Sequence, residues 1–65
     1  MNRWFVVQYY YNNGNQKGIV KSFDQLTELE IELLNNKEIK QIDNCEIQVE
    51  EFKNYEAARD FKRGM

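Results

Sequence analysis

The chain has no histidine, no proline and one cysteine, and serine and threonine appear once each. Each scarcity closes off a class of function. Without histidine, neither Ser22 nor Thr27 has the imidazole base that activates a hydroxyl nucleophile. Cys45 cannot form a disulfide within the chain, and one thiol without histidine does not make a zinc site. Acidic neighbours are also the wrong setting for a reactive thiol, so Cys45 reads as core filler. No loop has the alternating Asp/Asn pattern of a calcium-binding hand. Gly14 and Gly18 lack the spacing of a phosphate-binding loop and read as turn glycines. Carboxylates are plentiful, but nothing marks any pair for acid–base work. The expectation is a domain that is not an enzyme and holds no cofactor or metal.

Long apolar runs are missing too. None approaches the ~20 residues of a membrane-spanning helix. Met1 to Tyr11 is apolar and aromatic but lacks the leucine-rich core and small-residue cleavage site of a secretory signal. A cytoplasmic protein is expected. With 65 residues, residues 1–65 form one domain with a marginal core. Since disulfide and metal support are both closed off, a homodimer is the expected way to bury more surface.

What the chain has in abundance is aromatic and β-branched residues at one end. Arg3 to Tyr11 reads as a strand. Asn12 to Lys17 is turn chemistry centred on Asn13-Gly14, and Gly18 to Lys21 returns as a second strand. Ser22 to Asn35 reads as a helix. Phe23, Leu26, Leu29 and Leu33 form its stripe, although Glu28 to Leu33 also alternates as a strand would. Two helix-start signals sit in this stretch, Ser22 with Gln25 and Thr27 with Glu30, the second flanked by Leu26 and Ile31 as a hydrophobic staple. Glu30 falls inside the apolar arc if the helix begins at Ser22. Glu38 to Ile42 and Cys45 to Phe52 read as extended, either one long strand with a bulge or a hairpin. Asn54 then caps a short last helix with Tyr55, Ala58 and Phe61 on one face and Gly64 at its end. The fold class is α+β: a small, mainly antiparallel sheet, ββαβ(β)α, with an amphipathic helix on one face and a short C-terminal helix.

Both alternating sets of the first strand are apolar, interrupted only by Gln8. Such a strand needs cover on both faces. Helix cover on each side is one reading. A dimer or partner interface through Trp4, Tyr9, Tyr10 and Tyr11 is another, because tyrosine and tryptophan are enriched in interface cores. Base stacking on the tyrosines is a third, but Arg3, Lys17 and Lys21 are a thin phosphate footprint on an acidic chain, and nucleic acid is not the expected partner.

Charge is uneven along the chain. Residues 24–52 carry nine carboxylates against Lys37 and Lys40, while the net charge of the whole is −2. On a helix, Glu28 and Glu32 share a face despite mild repulsion. With Glu46 and Glu50 from the late strand they are candidates for a negative patch that meets a basic partner protein.

The run WFVVQYYYNNGNQKGIVKSFDQLTELEIELL resembles a recurring type of small phage-encoded protein. In that type an aromatic hairpin with a glycine turn leads through K-S-F-D into an amphipathic helix and a last strand. The resemblance covers residues 4–52. It implies an accessory protein that binds and inhibits a host enzyme or defence factor, with the host cytoplasm as its place of action.

Overall fold

The computed structural model describes residues 3–65. Its elements run β1 (Trp4–Tyr11), β2 (Gln16–Ser22), a 3-10 turn (Phe23–Gln25), α1 (Glu28–Asn36), β3 (Lys40–Ile42), β4 (Cys45–Phe52) and α2 (Tyr55–Arg63). The four strands form one antiparallel sheet in the order β2-β1-β4-β3. The aromatic β1 is therefore central, paired along its length on both sides.

The first hairpin turns where the Asn-Gly signal lies. Gly14 has φ 90, a left-handed conformation that glycine adopts without a Cβ penalty. The Tyr11 N–H donates to the Asn15 carbonyl at 2.9 Å, and the Gly14 N–H donates to the Tyr11 carbonyl at 3.0 Å.

The expected helix over Ser22 to Asn35 is instead two elements. Both start signals operate, and they lie five residues apart. The Ser22 N–H donates to Gln25 Oε1 at 2.9 Å and opens only the 3-10 turn. The Glu30 N–H donates to Thr27 Oγ1 at 3.2 Å, and the Thr27 N–H donates back to Glu30 Oε1 at 2.9 Å. An N-cap residue needs extended backbone, and Thr27 has φ −77 and ψ 167. The second cap thus interrupts the helix that the first would have begun. Lys37 ends α1 in the left-handed region, and the Glu38 N–H returns to the Leu33 carbonyl at 3.1 Å.

Residues 38–52 form a hairpin rather than one bulged strand. Asp43, with φ 54, lies in the tight turn between Ile42 and Cys45. At the end of the chain, Asn54 Oδ1 accepts from the Ala57 N–H at 2.8 Å and starts α2. Gly64 closes α2 as its C-cap, with φ −75 in the right-handed region.

Both faces of β1 are covered within the chain. Phe5 and Val7 are buried with Leu26, and Tyr9, Ile31, Leu34, Ile47 and Val49 pack around them. Val6 and Gln8 point to the opposite face, also fully buried. There α2 docks: Tyr55 meets Trp4 edge-on at 4.9 Å, Phe61 meets Phe52 at 5.0 Å, and Ala58 is buried. Each of Phe5, Val6 and Val7 contributes about 1.5–3 kcal/mol by burial. The two-sided apolar character of β1 therefore finds partners inside the chain.

Candidate functional site: the open half of strand β4

The two arms of the second hairpin are unequal. β4 pairs with β1 over all eight of its residues, from Tyr11↔Cys45 to Trp4↔Phe52. On its other side β3 reaches only from Ile42↔Cys45 to Lys40↔Ile47. Before Lys40 the chain leaves the sheet, because Lys37 and Glu38 are tied back to the end of α1. Among the described residues, no strand therefore lies on the outer side of residues 48–52 of β4.

Which backbone groups this exposes follows from the ladder. The Asn12 N–H donates to the Asn44 carbonyl, so Asn44 faces β1. Backbone groups alternate sides along an antiparallel strand. Gln48 and Glu50 thus face β1, while the N–H and C=O of Val49 and Glu51 face outward. Side chains alternate in the other sense. Val49 and Glu51 lie on the α1 side of the sheet with Val7 and Phe5, and Gln48 and Glu50 lie on the α2 side with Gln8 and Val6.

A cleft of about 560 Å³ straddles this edge, lined by Arg3, Leu34, Asn35, Lys37, Glu38, Ile39, Gln48, Val49, Glu50 and Glu51. Its volume lies within the ~300–1,000 Å³ usual for binding clefts. Leu34 and Ile39 give it an apolar wall, and Ile39 is 60% exposed. Arg3 Nε and Nη2 hold Glu51 at 2.9 and 3.1 Å. That bond keeps the Glu51 carboxyl below the usual carboxylate range. Glu50 is exposed and has no cation at ion-pair distance among the described residues.

The residues singled out from sequence are dispersed around this edge. Trp4 packs under α2 against Tyr55. Tyr9 is half-buried on the α1 side, and burial pushes its hydroxyl pKa upward. The Glu30 carboxylate adds to that shift and the Lys21 ammonium opposes it. Tyr10, on the α2 side, donates its hydroxyl to Gln8 Oε1, which also accepts from Gln48 Nε2 at 3.0 Å. Tyr11 is the most exposed of the three at 40%. It borders a shallow hollow with Tyr9, Ile42, Cys45 and Ile47.

Glu28 and Glu32 are exposed on α1, whereas Glu46 and Glu50 point to the α2 side of the sheet. The four glutamates expected to share one negative face are thus split by the sheet. Period-two alternation in β4 sends its even-numbered residues away from α1. Glu28 also has a local reason to be acidic, since it is the first residue of α1 and meets the positive end of the helix dipole.

The open edge itself was missed. Its signal was present in the unequal lengths of the two extended runs, Glu38 to Ile42 against Cys45 to Phe52. Paired as a hairpin, they leave an overhang. Comparison with family models, curated proteins and solved structures finds no match for this chain.

Proposed function

We propose that this chain is a protein-binding domain without chemistry of its own, and that it takes its partner along the open half of β4. One observation carries this reading. The β3 ladder stops at Lys40↔Ile47, and a cleft takes its place beside the remaining residues of β4. Unpaired strand edges are templates for a further strand, and sheets normally blunt them. Here the flanking wall is apolar and the edge lies at the floor of a cleft, which favours occupancy.

The two hydroxyl residues sit at element starts: Thr27 caps α1, and Ser22 begins the 3-10 turn. Binding without turnover is what an adaptor or an inhibitor does. The resemblance to small phage-encoded proteins makes inhibition of a host enzyme or defence factor the form of this proposal. Base stacking gains little support, because α1 and α2 cover both faces of β1.

Glu51→Pro tests the reading. The Glu51 N–H faces outward, so proline removes no internal ladder bond, and proline is tolerated at such edge positions. Glu51→Gln controls for loss of the Arg3 ion pair. Affinity capture from lysate, quantified by mass spectrometry, should return partners with the wild-type chain and Glu51→Gln that Glu51→Pro fails to hold. Equal capture by all three would contradict the reading.

A further inference from the structure

The edge also selects what can lie on it. A strand added beside β4 would place residues opposite Val49, Glu50 and Glu51. Its residue opposite Val49 exchanges backbone hydrogen bonds with Val49 and puts its side chain on the same face, against Leu34 and Ile39. Its next residue opposes Glu50 in a non-hydrogen-bonded pair, where Cα atoms approach to about 4.5 Å and side chains come closest. Opposite charges in such pairs are favourable, and like charges are not.

A second copy meets this requirement badly. β3 occupies residues 45–47 of β4, so two copies can overlap only along residues 48–52. A two-fold arrangement there sets Glu50 against Glu50, or Glu51 against Glu51 if shifted toward Phe52; shifted the other way it sets Val49 against Val49 but leaves only residues 48–50 to overlap, because β3 already holds Ile47. Of the two strands at the ends of the sheet, β2 carries Lys17 and Lys21 and β3 carries Lys40, the residue type by which sheets discourage added strands. Lys21 is in addition held by Glu30 at 2.9 Å.

We propose that the open half of β4 receives an extended peptide as an added strand, with apolar side chains facing Val49, Leu34 and Ile39 and alternating with lysine or arginine opposite Glu50. This rests on the reading of β4 as the binding edge and adds the chemistry of the occupant. Backbone bonds to Val49 and Glu51 supply affinity, and the alternating side chains supply selection.

The test is a titration of the whole chain, followed through its amide resonances, with three short capped peptides. The first alternates valine and lysine, the second valine and glutamate, and the third is the first with N-methylvaline. The valine–lysine peptide is expected to move the Val49 and Glu51 amides together with those of Leu34 and Ile39. The glutamate peptide should bind at least about tenfold more weakly, a difference of ~1.4 kcal/mol. N-methylvaline should abolish binding, because those are the nitrogens that would bond β4. Glu50→Lys should reverse the preference between the lysine and glutamate peptides.

Equal binding of the lysine and glutamate peptides overturns the proposed chemistry but leaves the edge reading in place. Shifts centred on Gly18 and Val20 of β2, or on Glu28 and Glu32, overturn both. Dilution-dependent shifts of Val49 and Glu51 without any peptide assign the edge to a second copy and overturn the proposal.

Discussion

A carboxylate buried at a helix start needs a reason, and Glu30 has two. It is 5% exposed. Its oxygens accept from Lys21 Nζ at 2.9 and 3.1 Å and from the Thr27 N–H at 2.9 Å. From sequence, Glu30 was an acid misplaced in an apolar arc. It is misplaced only on a helix that begins at Ser22; counted from Thr27 it is the third helical residue, where a capping box wants Glu or Gln. The two duties can be separated. Glu30→Gln keeps the cap and loses the ion pair, whereas Glu30→Ala loses both. Breaking a buried pair costs ~3–5 kcal/mol, and the partial exposure of Lys21 lowers that figure. Denaturant unfolding should show Glu30→Ala destabilised by about 2–4 kcal/mol, with Glu30→Gln losing ~1 kcal/mol less. Equal losses would mean that the cap contributes nothing.

At the scale of elements, legibility followed local chemistry. Turn residues, caps and periodicity are written in neighbouring positions, and the first hairpin, α2 and the strand Cys45 to Phe52 were readable from them. The split of Ser22 to Asn35 was not, because both caps were visible but nothing local decides whether two start signals make one helix or two. Cover of the second face of β1 by α2 was one of the readings open from sequence, and only contacts across the chain select it. Gly18 is a case in point. Read as a turn glycine, it sits inside β2, buried under the end of α2. A Cβ there would lie 2.9 Å from Met65 Sδ, 3.1 Å from Lys62 Cγ and 3.3 Å from Val6 Cγ1. The first two neighbours are flexible and the third is fixed in the core. Gly18→Val should therefore overpack this seam and destabilise the fold by about 1–3 kcal/mol. Thermal unfolding measures the loss, and the Lys62 to Met65 amide resonances should shift with it. An unchanged melting temperature would mean that α2 does not press on β2 at this point.

At the scale of the whole molecule, the sheet decides what the charges can do together. Glu28, Glu32, Glu46 and Glu50 read from sequence as candidates for one negative patch. Strand alternation and the central place of β1 divide them between two sides, a consequence of strand order that spacing along the chain does not reveal. The same strand order creates the candidate site, because a three-residue β3 lies beside an eight-residue β4. The central claim is thus that Val49 and Glu51 present free backbone groups at an uncovered edge. Amide hydrogen exchange of the free chain at low concentration tests it most directly. Gln48 and Glu50, bonded to β1, should exchange slowly, while Val49 and Glu51 exchange near the rate of unstructured amides. Comparable protection at all four positions would mean that the outer side of β4 is already paired, and would contradict the claim.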